Sequence, residues 1–314
     1  MRKPDFKFQP ISFSWVAIHP EPKGVIQFMG GAFFGTFPTV FYRYFLSKLF
    51  EEGYTIIAFP FRFSFRHWSI AASLFVEQNV LQTEIIEVSK RLGYKNQIYL
   101  DKSRYFWVGH SLGCKYIALL EFLSSERWQD LVQECTTQKE AQRIETVIQS
   151  ITQGDKISIK GQSSLLIAPD ISDTESAVPV RSVAHLLDKA GLGVLPTRKQ
   201  TQCFIERSKL FNLTALISFK KDSVAGNKQD KFRSKEIQEN SDLLWFIQQL
   251  DSRKPPLLHQ QLPGKHLEPV GIKLGQFIVD FNVFDKFMKS LSCRFLEGVV
   301  IKLLDGLKQR EEIL

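Results

Sequence analysis

Short apolar runs alternate with longer amphipathic stretches through most of the chain. Residues 54–59 and 105–108 are apolar runs of strand length, whereas apolar residues recur at helical spacing in about residues 38–53 and 70–92. Each helical stretch ends at a glycine, which is a common helix stop. Strands that alternate with helices in this way predict a mostly parallel sheet with helices on both faces.

The pattern predicts further elements on either side of this unit. Residues 8–19 and 24–29 indicate two strands of an antiparallel hairpin, because the two prolines and the glycine between them favour a turn. Toward the C-terminus the pattern predicts strands at residues 164–168, 213–219 and 257–262, a helix at 242–250, and terminal helices after about residue 271.

Two segments interrupt the strand and helix alternation and suggest additions to one core. Residues 125–161 are polar, with apolar positions spaced as on amphipathic helices, so we expect a helical insertion there. Residues 169–212, which contain His185 and a breaker-rich stretch, are expected to form a cap over the edge of the sheet. The core is then assigned to residues 1–124, 162–168 and 213–314.

The sequence Gly109-His110-Ser111-Leu112-Gly113 lies between a predicted strand and a predicted helix. In that setting Gly-x-Ser-x-Gly is typical of a nucleophile elbow, in which the serine is held on a sharp turn with its hydroxyl exposed at the end of the strand. The alternative is a tight structural turn. Because the carboxyl ends of strands in open parallel sheets carry binding sites, we interpret Ser111 as a candidate nucleophile.

A serine nucleophile needs a base and an acid, which in this arrangement follow it in the chain as acid and then histidine. Asp222 lies just past the predicted strand 213–219 and is the expected acid, with an ordinary turn aspartate as the alternative. Asp170, which follows the preceding strand, is a second candidate for the acid. His266 follows the last predicted strand and is the expected base.

Backbone amides would have to stabilise the oxyanion that forms in such a reaction. Leu112 follows the nucleophile and supplies one N–H group by the geometry of the elbow. The second donor is expected from the Gly30-Gly31-Ala32 segment, either at Gly31 or at Ala32, because this segment joins a strand to a helix.

Aromatic residues alternate with basic or polar ones just past the strand at residues 54–59. This segment is expected to border the site and to hold a lipophilic chain with an anionic head. Ordinary core packing is the alternative. A single segment of this kind does not predict binding of single-stranded nucleic acid, so nucleic acid is not an expected partner. The predicted pocket residues are Phe33, Phe61, Phe63, Phe65 and His110.

Composition narrows the class of protein. A hydrophobic fraction of 44% with 27 Phe indicates a globular chain, and the net charge of +8 is spread along it, which favours a solvated surface. The four cysteines show no C-x-x-C pairing, so a reducing compartment is expected, with no metal site or cofactor. The sequence shows no signal peptide or membrane span, so we expect a soluble protein. Peripheral contact with a membrane is an alternative that the sequence leaves open.

These motifs together resemble the α/β-hydrolase superfamily, from the strand before Gly30 through the elbow to Asp222 and His266. Residues 262–269 are similar to the histidine loop of several acyl thioesterases and esterases. Residues 29–37 and 59–68 resemble an uncharacterised family of cyanobacteria and plant chloroplasts, which implies a fold without an established substrate and places plant relatives in the plastid stroma. Met29 stands where many superfamily members have a histidine.

The fold class expected from the sequence is the α/β-hydrolase fold with a helical cap insertion. The function expected from the sequence is therefore cleavage of a small-molecule acyl ester or thioester by Ser111, His266 and Asp222, in the cytoplasm or its equivalent. The alternative is a non-catalytic α/β-hydrolase-like protein that binds a lipid or a protein partner.

Overall fold

The computed structural model describes residues 4–171, 193–208, 214–281 and 287–311. Part of the predicted cap at residues 169–212 lies outside these ranges, namely residues 172–192 and 209–212. His185 is among them.

One mixed sheet runs through the described part of the chain. Its strands follow the order β1-β2-β4-β3-β5-β6-β7-β8. The strands from β4 to β8 in this order are parallel, whereas β1 with β2 and β2 with β4 are antiparallel. The strands are β1 (Gln9–Ile11), β2 (Ser14–Ala17), β3 (Gly24–Met29), β4 (Tyr54–Ala58), β5 (Tyr105–His110), β6 (Ser163–Ile167), β7 (Thr214–Phe219) and β8 (Leu258–Leu262).

Helices cover both faces of this sheet, as the apolar pattern predicts. One buried cluster joins the sheet to α3, α4, α6, α7 and α9, and a second joins the opposite face to α2 and α10. None of the described helices is long and apolar enough to cross a lipid bilayer. The helices are α1 (Pro38–Phe41), α2 (Arg43–Glu51), α3 (His67–Arg91), α4 (Leu112–Leu123), α5 (Trp128–Cys135), α6 (Gln138–Thr152), α7 (Arg198–Arg207), α8 (Lys235–Asn240), α9 (Asp242–Asp251) and α10 (Leu296–Glu311).

The predicted N-terminal hairpin is wrong in its pairing. The segment expected to be one strand, residues 8–19, turns back at Ser12 and forms the β1–β2 hairpin by itself. Strand β3 does not pair with β2 but lies inside the sheet between β4 and β5, with all six of its residues buried. This placement puts the end of β3 directly beside the end of β5, where Ser111 follows.

The predicted terminal helices are only partly correct. Helix α10 forms, but residues 272–290 contain a small antiparallel sheet of order β11-β10-β9. Its strands are β9 (Ile272–Leu274), β10 (Phe277–Val279) and β11 (Met288–Ser290). Strands of three residues are too short to show a periodic pattern, so the sequence gives little sign of them.

The expectation of reduced cysteines is wrong for one pair. Cys135 at the end of α5 and Cys203 in α7 form a disulfide, with their Cα atoms 5.8 Å apart and 68 residues between them in sequence. Cys114 and Cys293 are free thiols. Sequence spacing identifies only local cysteine pairs, whereas this pair depends on the packing of α5 against α7.

Candidate active site

Ser111 lies on the sharp turn between β5 and α4, with φ 53° and ψ −124°. Backbone crowding explains the two flanking glycines. A Cβ atom on Gly113 would lie 2.2 Å from the carbonyl oxygen of Met29, and one on Gly109 would lie 2.9 Å from the amide nitrogen of Cys114. The strained serine conformation therefore depends on the close approach of strand and helix that the glycines permit.

The loop after β7 holds the carboxylate of Asp222 in place. Its Oδ1 accepts hydrogen bonds from the backbone N–H groups of Val224 at 2.8 Å and Ala225 at 3.0 Å. The side-chain amide of Asn227 donates to the carbonyl oxygen of Asp222 at 3.0 Å. The residue is buried, so its orientation is set by these bonds rather than by solvent.

The loop after β8 carries His266 and is joined to the Asp222 loop through the backbone. The N–H of Lys220 donates to the carbonyl oxygen of Leu262 at 2.9 Å, and the N–H of Lys221 donates to that of Gly264 at 3.0 Å. Gly264 has φ +132°, which a residue with a side chain rarely adopts. The two loops thus leave the sheet side by side.

The three residues predicted as acid, base and nucleophile meet at this edge of the sheet. The Nε2 atom of His266 lies 2.8 Å from Ser111 Oγ, and its Nδ1 atom lies 3.0 Å from Asp222 Oδ2. Ser111 and His266 keep only 7% and 8% of their surface exposed. Asp222 therefore occupies the position beside the histidine for which Asp170 was the alternative.

Asp170 lies close to the same group without taking that position. Its backbone N–H donates to the carbonyl oxygen of Ser111 at 3.4 Å. Burial alone would lower the pKa of His266, but the adjacent Asp222 carboxylate opposes this effect, with a smaller contribution from Asp170, and the pKa is raised above 6.5. Asp170 thus contributes to the electrostatics of the histidine.

The candidate oxyanion donors differ in their hydrogen bonding. Leu112 is the first residue of α4, so its N–H has no acceptor within the helix. The N–H of Gly31 donates to the Tyr42 hydroxyl at 2.8 Å, although a Cβ atom on Gly31 would lie 3.1 Å from Ser111 Cβ. Within the described residues the N–H of Ala32 has no hydrogen-bond acceptor, so Leu112 and Ala32 are the available pair.

Tyr42 and His110 form a buried hydrogen-bond relay that the sequence did not predict. The Nε2 atom of His110 lies 2.8 Å from the carbonyl oxygen of His266, and its Nδ1 atom lies 2.8 Å from the Tyr42 hydroxyl. A carbonyl oxygen only accepts, so His110 carries its proton on Nε2 and Tyr42 donates to Nδ1. Burial lowers the pKa of His110 to about 3, which keeps the ring neutral.

The relay corrects the prediction for His110, which is fully buried behind the elbow and does not line an open pocket. It joins three parts of the site, namely the segment that holds Gly31, the elbow, and the loop that carries His266. Tyr42 lies within a run of aromatic residues, and its type and spacing gave no signal of this contact.

The other predicted pocket residues divide into two groups. Phe33 is 61% exposed and stacks on Phe63 with ring centroids 4.7 Å apart, and Phe63 contacts the ring of Phe65 at 5.3 Å. These three rings form an accessible aromatic surface beside Ala32. Phe61 is buried instead, packs on Tyr116 at 5.0 Å, and lines a separate cavity of about 560 Å³ next to α3.

The chemistry of the site is that of a hydroxyl, an imidazole and a carboxylate in sequence. Such an arrangement can move a proton from Ser111 to His266 while Asp222 stabilises the resulting imidazolium. In the described part of the chain, no group of three or more His, Cys, Asp or Glu side chains is placed to hold a metal ion.

The sheet order and the elbow define the class of protein, the α/β-hydrolase fold, and solved structures agree with it. Esterase B from Lactobacillus rhamnosis has a TM-score of 0.56 at 12% identity, covering 95% of this chain and 82% of that chain. The carboxylesterase Cest-2923 from Lactobacillus plantarum has a TM-score of 0.51 at 12% identity, covering 97% of this chain and 98% of that chain. At such identities the likeness shows the fold alone.

The chain belongs to the family described as "Protein of unknown function (DUF1350)", whose model matches residues 7–297. A search of curated proteins finds no match. A further similar structure, with a TM-score of 0.55 at 14% identity over 93% of this chain and 78% of that chain, is that of a tributyrin phosphonate with esterase B of Lactobacillus rhamnosis.

Proposed function

We propose that this protein is a serine hydrolase that cleaves a lipophilic acyl ester or thioester. The observation that carries the proposal is the continuous contact from Ser111 Oγ through both ring nitrogens of His266 to Asp222, at 2.8 and 3.0 Å. These distances lie within the range for proton transfer between a nucleophile and its base. A structural turn serine would not need a buried histidine and carboxylate aligned behind it.

The reaction proceeds through two acyl transfers. Ser111 Oγ attacks the acyl carbonyl carbon while His266 Nε2 takes the hydroxyl proton, and the N–H groups of Leu112 and Ala32 stabilise the oxyanion. His266 then donates the proton to the leaving alkoxide or thiolate, which departs as the alcohol or thiol. Water, deprotonated by His266, attacks the acyl-enzyme and releases the carboxylic acid and Ser111.

The surroundings of Ala32 support a lipophilic acyl group. The rings of Phe33, Phe63 and Phe65 offer apolar surface directly next to the amide that would hold the oxyanion. Apolar chains bind such surfaces because the contact removes both from water. The names of the similar structures, which include esterases and a tributyrin phosphonate, are consistent with an ester substrate.

A fluorophosphonate probe tests the nucleophile. We expect one covalent adduct on Ser111 by peptide mass spectrometry, and none in Ser111→Ala. Ser292→Ala, which removes an exposed serine outside the site, is the matched control and should label normally. A folded wild-type protein that forms no adduct at high probe concentration would contradict the enzyme proposal and favour the non-catalytic lipid-binding alternative.

The substrate class is tested with acyl esters and acyl thioesters of graded chain length. We expect kcat/KM to rise with chain length while the chain gains contact with the aromatic surface, by about threefold to fourfold for each buried methylene. Equal rates for acetyl and long-chain substrates would contradict a lipophilic acyl site and leave the proposed nucleophile intact.

A further inference from the structure

Exposed apolar side chains follow directly after the segment that carries Gly31 and Ala32. Phe33 and Phe37 are each 61% exposed, and Val40 is 47% exposed. Large apolar side chains are normally scattered singly on a protein surface, whereas these three lie within eight residues of the chain. Phe33 also belongs to the aromatic surface that is proposed to hold the acyl group.

A basic groove lies against the same segment. It has a volume of about 630 Å³ and runs past Thr39 and Val40 to β9. The described residues that line it include three charged side chains, Lys7, Arg43 and Lys273, and all three are basic. The apolar part of its lining includes Phe8, Trp15, Val40 and Ile272.

The charge pattern of the sequence reinforces this polarity. No Asp or Glu occurs between Glu21 and Glu51, a segment that contains three basic residues and includes the whole apolar stretch. Glu51 itself pairs with Lys48 at 2.9 Å, and Glu297, whose charge acts on Tyr44 at the groove, pairs with Arg294 at 2.7 Å. Both acidic groups that act on Tyr44 are thus already paired with basic side chains.

We propose that this docking face, defined by Phe33, Phe37, Val40, Arg43 and Lys273, binds the surface of an anionic lipid bilayer. The basic groove would take lipid phosphates, while the exposed apolar side chains enter the boundary between headgroups and acyl chains. Docking is independent of catalysis. Delivery of lipid substrate from the bilayer to Ser111 rests on the proposed function.

Aliphatic side chains favour a lipid surface over single-stranded nucleic acid, which basic and aromatic residues could also bind. Val40 and Ile272 flank the groove, and Leu274 follows on β9 with 63% of its surface exposed. These side chains gain from an apolar interior but offer no ring on which a base could stack. We therefore assign the face to lipid, and nucleic-acid binding becomes an outcome of the test.

The test is co-sedimentation of the full chain with phosphatidylglycerol and phosphatidylcholine vesicles over a salt series. We expect binding to anionic vesicles at low salt, weaker binding as salt rises, and little binding to pure phosphatidylcholine. Arg43→Gln/Lys273→Gln should weaken binding about thirtyfold, since each basic residue near an anionic surface contributes about fivefold. Phe37→Ser/Val40→Ser should also weaken it.

Two matched controls separate the docking face from overall charge and hydrophobicity. Lys139→Gln/Lys160→Gln removes the same charge from exposed positions elsewhere, and Phe13→Ser/Phe232→Ser removes apolar side chains that are 87% and 80% exposed. Both should bind vesicles as the wild type does. Equal losses in the controls, or an oligonucleotide that binds while anionic vesicles do not, would overturn the proposal.

Fluorophosphonate labelling in vesicle-free buffer keeps the two proposals apart. Vesicle binding without any Ser111 adduct would retain the docking face and refute the hydrolase. Labelling of Ser111 without vesicle binding would support the hydrolase and refute the docking face.

Discussion

At the residue scale, the pKa of His266 sets the expected pH dependence. The base must be neutral to accept the proton of Ser111. Burial lowers its pKa, but the charge and hydrogen bond of Asp222, with the charges of Asp170 and Asp242, together raise the pKa above 6.5. The rate should therefore rise with pH through a midpoint above 6.5 and fall away as the histidine becomes protonated below it. The measurement is kcat/KM for a soluble ester against pH.

Variants of the two acidic residues test which one serves the histidine. Asp222→Asn removes the main group that raises the pKa of His266, so the midpoint should move to lower pH while the maximal rate drops by about 10³–10⁴-fold. Asp170→Asn should move the midpoint less and have a much smaller effect on the maximal rate. The opposite ranking of the two maximal rates would show that the acid assignment is wrong.

The buried relay predicts a catalytic effect for a hydroxyl that touches no substrate. Tyr42→Phe frees the Gly31 N–H and leaves His110 Nδ1 without a donor, so the segment that carries Ala32 loses its fixed position. We expect kcat to fall about 10–100-fold with little change in KM, because misplacement of a transition-state donor affects the chemical step. Steady-state kinetics on a soluble ester provide the measurement.

Tyr99→Phe is the matched control for this hydroxyl. Tyr99 is equally buried and its hydroxyl lies 2.8 Å from Thr55 Oγ1, away from the site. Both variants should lose about 1 kcal/mol of stability, but only Tyr42→Phe should lose activity. If His110→Gln is combined with Tyr42→Phe, the losses should be less than additive, and full additivity would argue against a single relay.

At the element scale, the elbow depends on how closely α4 approaches the end of β3. Gly113→Ala would place a methyl group 2.2 Å from the carbonyl oxygen of Met29, a backbone atom that cannot turn aside. We expect a loss of about 1–3 kcal/mol in the free energy of unfolding, with loss of activity because Gly30 and Gly31 move with β3. Urea unfolding and ester hydrolysis measure the two effects.

Gly298→Ala is the control for helical glycines. Gly298 is exposed near the start of α10, and a Cβ atom there would meet nothing within 4 Å. This variant should be more stable than the wild type by up to about 1 kcal/mol. A stable and active Gly113→Ala variant would show that strand and helix can separate without harm to the elbow.

Elements with strong local patterns were predictable from the sequence, and those that depend on distant pairing were not. The apolar runs around β4 and β5 and the long amphipathic α3 appear where the pattern indicated. The β1–β2 hairpin was missed because nothing local shows that β3 pairs with β4 and β5 instead. The small sheet was missed because its strands have only three residues each.

In the candidate site, too, local features were predictable and contacts between distant segments were not. Ser111, Asp222 and His266 each follow a strand, so chain order alone predicted that they would lie at one edge of the sheet. The contacts of Tyr42 and His110 depend on three segments that are far apart in the chain, and no spacing indicates them. The hydrogen bond from the Gly31 N–H to the Tyr42 hydroxyl likewise could not be predicted from the sequence.

At the scale of the whole molecule, the disulfide links helix α5 in the predicted helical insertion to helix α7 in the predicted cap. Cys135 in α5 and Cys203 in α7 are 68 residues apart, and β6 of the central sheet lies between them in the chain. A covalent link of this kind restricts the unfolded chain more than the folded one. Its redox state should therefore change the stability of the fold.

Cys135→Ser/Cys203→Ser is expected to lower the free energy of unfolding by about 2–4 kcal/mol under non-reducing conditions, because the open chain regains the freedom of a long loop. The same loss should follow from dithiothreitol treatment of the wild type. Cys293→Ser, which changes an exposed free thiol, should leave stability unchanged. Urea unfolding gives the free energies, and thiol alkylation with intact-mass analysis should count two free thiols in the denatured, unreduced wild type. Four alkylated thiols would show that the bond is absent, and the two helices would then be held by packing alone.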